Sequence, residues 1–127
     1  MNMIRILPAA EAAIAPGPDV LVLANDADVL TVSLDGVARI DLDFPKFTDG
    51  RAFTQARLLR QRRGFQGEIR ATGDVLVDQL VQMYRTGFSS AVLKEGKDPA
   101  DAERQFARFQ AFYQGDAVVP QPLFARG

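Results

Sequence analysis

The chain contains no cysteine, no histidine and no tryptophan. Without Cys it offers no disulfide framework, no thiolate nucleophile and no ligation of an iron–sulfur cluster. Without His it offers no Ser-His-Asp triad and no imidazole zinc site. Carboxylate-only Mg²⁺ binding is the metal chemistry left open. Long hydrophobic runs are also missing, and the opening Met-Asn-Met-Ile-Arg-Ile-Leu-Pro lacks the apolar centre of a signal peptide. A cytoplasmic protein with no membrane segment is therefore expected. No Gly-x-Gly-x-x-Gly follows an apolar run, so no nicotinamide fingerprint and no cofactor is evident.

What is present suits one compact domain. The 127 residues are 47 % hydrophobic and include nine Phe, enough to bury roughly two-thirds of the unfolded chain's surface. The net charge of −1 creates no global field for nucleic acid. The distribution is uneven, however. Lys46 to Arg70 holds seven bases against two acids, an excess of five positive charges that leaves −6 on the remainder. That asymmetry points to an anionic ligand or an acidic partner surface.

Residues 1–19, with Pro8 and Pro16-Gly17-Pro18, read as a flexible lead-in. A single α/β domain follows over 20–115, and 116–127 form a Pro-containing tail. Val20–Leu23 reads as a buried strand, and Asn25-Asp26 as the cap of a brief helix carrying Val29, Leu30 and Leu34. Ala38, Ile40, Leu42 and Phe44 alternate with Arg39, Asp41 and Asp43, a strand with one charged face. Asp49 is a reasonable N-cap for a helix from about Gly50 to Arg63, closed by Gly64. Glu68–Ala71 is a further strand, Asp74 a cap for a helix through Leu76, Leu80, Met83 and Tyr84, and Gly87 its end. Phe88–Leu93 is the fourth strand. The last helix has Asp98 as cap and Pro99 at its first position, and its Ala102, Phe106, Phe109 and Tyr113 are core-facing.

This alternation predicts an α/β fold with a mostly parallel four-stranded sheet. A parallel strand covered on both faces should be apolar throughout. Arg39, Asp41, Asp43, Glu68 and Arg70 break that rule. Either the helices cover one face only, as in half of a (β/α)₈ barrel, leaving the other for a second copy, or these are edge strands.

Chemistry-bearing residues gather at two strand exits. Asp49-Gly50-Arg51 opens one helix, where helix N–H groups and the Arg51 fork suit sulfite, phosphate or a carboxylate. Arg70-Ala71-Thr72-Gly73-Asp74 takes the equivalent place after the next strand. Ligands of parallel sheets collect at strand carboxyl ends, so Asp49, Gly50, Arg51, Arg70, Thr72, Gly73 and Asp74 form one candidate anion site. The plainer reading makes Asp49 and Asp74 helix caps, with Arg70 paired to Asp41 or Asp43 in a salt-bridge layer. Arg57, Arg60, Arg62 and Arg63 are either a solvated helix side or a salt-sensitive docking patch for an acidic protein. Nucleic acid is not expected, because no aromatic residues form a stacking platform on a basic face. Asp41 and Asp43 read as ion-pair partners more simply than as a metal pair, and no metal site is predicted. Phe44 and Phe47 read mainly as packing, with Phe47 also able to line a pocket.

Phe44-Pro45-x-Phe47-x-Asp49-Gly50-Arg51, Ala56-Arg57-Leu58-Leu59-Arg60, Gly64-Phe65-x-Gly67-Glu68-Ile69-Arg70-Ala71 and Gly73-Asp74-Val75-Leu76, with Asp78-Gln79-Leu80, resemble the bacterial family known as domain of unknown function 934. The resemblance covers about residues 20–114. Thr86 stands where the family often has Cys, which argues against an obligatory thiol. The family often carries an oxidoreductase label and is commonly encoded beside assimilatory sulfite reductase. The resemblance therefore implies an accessory role in sulfite reduction, with sulfite reductase or another acidic redox protein as partner and a small anion as ligand. It supplies no catalytic residues. Two alternatives stand beside it. One is a small enzyme whose acid–base work falls to Asp49, Asp74 or Glu68 with a raised pKa, or to a bound flavin or nicotinamide. The other is a structural homodimer whose polar sheet faces meet.

Overall fold

The computed structural model of the chain describes residues 4–46, 48 and 50–116, the last eight as backbone only. Five strands form one all-parallel sheet: β1 (Arg5–Leu7), β2 (Val20–Leu23), β3 (Arg39–Phe44), β4 (Glu68–Gly73) and β5 (Ser90–Val92), in the order β1-β5-β4-β3-β2. Three helices accompany them: α1 (Arg51–Gln61), α2 (Leu80–Thr86) and α3 (Pro99–Asp116). Among the described residues no helix is long and apolar enough to cross a membrane.

β2 to β5 lie side by side in chain order, so successive connections step the same way and leave their helices on the same face. The period of two then sorts every strand. Ile6, Leu23, Ile40, Leu42, Phe44, Ile69, Ala71 and Ala91 join Ala52, Phe53, Ala56 and Leu59 of α1, Leu80 and Met83 of α2, and Ala102 and Phe106 of α3 in one core. Phe44, Phe53 and Phe88 meet there with ring centroids 5.1–6.3 Å apart, and Tyr84 meets Phe106 edge-on at 6.1 Å. The charged strands β3 and β4 are internal, so edge placement does not explain their polarity. One-sided helix cover does.

Three expectations are corrected. The described residues form five strands rather than four, the extra one being β1, within residues 1–19. Ile4 and Ile6 enter the core while Arg5 does not, but three residues are too few to announce a strand; the pairing with β5 supplies it. A 3₁₀ turn over Ala9–Ala13 follows β1. Residues 25–34 form turns rather than a helix, because the Asp28 carboxylate accepts the Leu30 N–H at 2.9 Å, a local bond that competes with helix formation. Finally, the second helix starts late. Asp74 is ion-paired to Lys94 at 2.8 Å, its N–H donates to the Phe44 carbonyl, and a 3₁₀ turn over Val77–Gln79 precedes α2.

Helix ends otherwise follow local chemistry. Asp98 accepts the Ala100 N–H at 3.0 Å ahead of Pro99, and Gly87 closes α2 in the left-handed region. Ala102 and Phe106 are buried as expected, whereas the side chains of Phe109 and Tyr113 lie outside the described residues, as do Phe47 and Asp49.

Candidate functional site

The sheet face turned away from the helices carries a continuous charged layer. Parallel register sets Val22, Asp41, Arg70, Ser90 and Arg5 in one row across all five strands, with Arg39 beside Glu68 in the next. The closest pairs on β3 and β4, however, run along their strands rather than across them. Arg39 donates Nε and Nη2 to the two oxygens of Asp41, at 2.8 and 3.2 Å. Arg70 donates Nε and Nη2 to Glu68 Oε2, at 3.2 and 3.0 Å. Residues i and i+2 share a face, so each guanidinium finds a carboxylate on its own strand. The fully buried Ser90 hydroxyl donates to Glu68 Oε2 at 2.6 Å, and Arg5 approaches it at 3.5 Å.

Arg70 and Asp41 are only 7 % and 8 % exposed, deep burial for ionised groups and tolerable because they are paired. Burial alone would raise the Glu68 pKa; the bonds from Ser90 and Arg70 and the charges of Arg70 and Arg5 outweigh it and hold the carboxyl below its ordinary value. Glu68 is thus an ionised clamp, the opposite of the raised-pKa acid that a small enzyme would need.

Over this layer lies a cavity of about 320 Å³, at the low end of the roughly 300–1,000 Å³ typical of ligand pockets. Its floor is Arg39, Asp41, Arg70, Thr72, Val22 and Val92. Its roof is Glu11 and Ala12 of the 3₁₀ turn, with Ile14 and Pro16. Nη1 of Arg39 and Nη1 of Arg70 donate no hydrogen bond among the described residues, and Glu11 makes no hydrogen bond or ion pair there. Two carboxylate-held guanidinium groups with spare donors therefore line one half-open cavity.

The predicted strand-end cluster is divided. Arg70 and Thr72 belong to the cavity floor, and the Thr72 hydroxyl is bonded to the Leu42 carbonyl at 3.3 Å. Gly73 marks the turn out of β4 with φ +91°, where an added Cβ would lie 2.5 Å from the Phe44 carbonyl oxygen. Asp74 faces Lys94, while Gly50 and Arg51 are exposed at the start of α1. Asp49 lies outside the described residues. A second cavity of about 450 Å³ does open at the strand carboxyl ends, between Val75–Asp78 and the start of α3. Two of its three acids already serve the helix, Asp98 as its cap and Asp101 by accepting from Arg104 and Gln105, while Asp78 is exposed. Among the described residues no group of three or more metal-ligating side chains gathers.

The predicted docking arginines also divide. Arg57 and Arg62 are exposed. Arg63 donates to the Val29 carbonyl at 2.7 Å. Arg60 turns inward: Nε bonds the Gly87 carbonyl at 2.9 Å, Nη1 the carbonyls of Phe65 and Gly67 at 2.8 Å each, and Nη2 the Ser89 hydroxyl at 2.9 Å. Burial lowers its pKa. Arg60 is a brace between α1 and the starts of β4 and β5, spent on structure rather than on a partner. Thr86 is likewise internal, its hydroxyl bonded to the Gln82 and Met83 carbonyls of its own helix.

Sequence reasoning missed Arg39, Asp41 and Glu11 as members of one site. The first two were visible as the polar phase of a strand. Glu11 carried no signal, because only the path of residues 8–16 over the sheet brings it there. A comparison with curated proteins returns no match. The family whose model matches residues 20–124 takes in the whole cavity floor but not its roof, and this chain belongs to it: the bacterial proteins of unknown function designated domain of unknown function 934 (DUF934).

Proposed function

We propose that the protein is a non-catalytic accessory of assimilatory sulfite reduction, working in the cytoplasm, and that it holds a small ligand bearing an anionic group in the cavity over the polar sheet face. The observation that carries this reading is the pair of guanidinium groups, each fixed by a carboxylate and each with an Nη1 left for an outside acceptor. Fixed donors lose little freedom on binding, and spare guanidinium N–H groups suit a carboxylate or sulfur oxyanion. Family membership is the link to sulfite reduction. The exposed Arg57 on α1 and Arg62 just past its end would form the face towards an acidic reductase component, a contact that favours encounter rate over tightness.

The test is growth on sulfate as sole sulfur source by cells lacking the gene and complemented in trans. Arg39→Gln combined with Asp41→Asn removes one cavity donor without leaving the buried Asp41 carboxylate unpaired, and should leave the fold intact. We expect the variant to accumulate normally yet fail to restore growth, with recovery when reduced sulfur is supplied. Full growth on sulfate with a stable, well-expressed variant would sink the reading.

A further inference from the structure

We infer that the ligand of this cavity is a zwitterion of α-amino acid type with a small apolar side chain, an inference that rests on the cavity being a binding site. Four charged side chains line it: Arg39 and Arg70, Asp41 and Glu11. Their charges cancel. A bare dianion such as sulfite would add two uncompensated negative charges to this neutral lining, next to the buried Asp41 carboxylate. A zwitterion adds no net charge.

The spare bonding capacity has the same two-signed character. Nη1 of Arg39 and Nη1 of Arg70 need an acceptor, and a ligand carboxylate provides two oxygens. Both Asp41 oxygens are engaged by Arg39, so the carboxylate left for a cation is Glu11. Glu11 lines the roof without reaching either arginine, and an ammonium group between them answers that gap. The remaining wall is apolar. Ile14 and Val22 are 61 % and 58 % exposed, unusually open for such side chains, and with Val92 they surround the place left for an aliphatic chain.

The roof makes the idea testable without endangering the fold. The 3₁₀ turn over Ala9–Ala13 buries none of its residues, so Glu11→Gln removes only charge. Three probes separate the groups: L-norvaline with both charges, pentanoate without the ammonium, and n-butylamine without the carboxylate. Each is titrated into the full chain, with amide shifts of Arg39, Asp41, Arg70, Thr72 and Val92 as readout. We expect norvaline to bind about tenfold more tightly than either single-charge probe, and Glu11→Gln to bring norvaline down to the level of pentanoate. Equal binding of norvaline and pentanoate would overturn the inference while leaving an anion site in place. An undiminished preference in Glu11→Gln would overturn it too. Failure of all three probes to shift the cavity residues would remove the binding site itself, and the inference with it.

Discussion

The Arg60 guanidinium has four intramolecular acceptors and the Phe65 ring 5.8 Å from its centre. Three of those acceptors are loop carbonyls at the amino ends of β4 and β5, where the chain has left helical bonding and has not yet entered the sheet. Gly87 cooperates: its φ of +116° suits glycine, and an added Cβ would meet Arg60 Cγ at 2.6 Å. Arg60→Ala should therefore destabilise the protein by about 1–3 kcal/mol, since it leaves part-buried acceptors unpaired as well as removing bonds. Arg60→Lys should recover only part of that, because an ammonium lacks the planar fork. Urea unfolding of the three proteins decides the matter, and an unchanged midpoint for Arg60→Ala would exclude the brace. No local pattern distinguishes Arg60 from its exposed neighbours Arg57 and Arg62. Burial of a charge at a helix end is settled by what the next loops bring within reach.

At the scale of elements, β1 is the piece the sequence conceals. Its three residues pair with β5, and Ile4 and Ile6 complete the core beside α3. The family match begins only at residue 20, after β1. Deleting residues 1–19 should nevertheless lower stability by several kcal/mol, given about 1.5–3 kcal/mol for each buried isoleucine. It should also expose β5 as an unpaired edge prone to self-association. Equilibrium unfolding together with light scattering reads both effects; a truncated chain as stable and monodisperse as the full one would show β1 to be dispensable. Elements with strong periodicity were legible: β3 by its alternation, α1 by its apolar spacing, α3 by its Asp-Pro start. Those that failed did so where a side chain had two local uses, as with Asp74, drawn to Lys94 instead of a helix terminus, and Asp28, which folds its own backbone into a turn.

At the scale of the whole molecule, the charged layer ties β1, β4 and β5 together through Glu68, so its titration is felt globally. The Glu68 pKa is depressed in the folded state, which means the stabilisation is complete above the unfolded carboxyl value of about 4.3 and disappears as pH falls through the lower folded value. We predict that denaturation midpoints of wild type and Glu68→Gln differ most near neutrality and converge as pH drops below that range. Parallel curves would mean that Glu68 gains nothing from its partners.

Composition and periodicity were enough to establish an α/β chain with a parallel sheet, one polar sheet face, and no thiol or imidazole chemistry, because each depends on residue identity or on spacing within a few positions. Helix cover on one side, the pairing of Arg39 with Asp41 and of Arg70 with Glu68, and the placing of Glu11 around the same cavity as both arginines were decided only by the tertiary structure. Those outcomes depend on strand order and on the path of residues 8–16, and contacts between residues far apart in the chain leave no mark on the local pattern of either partner.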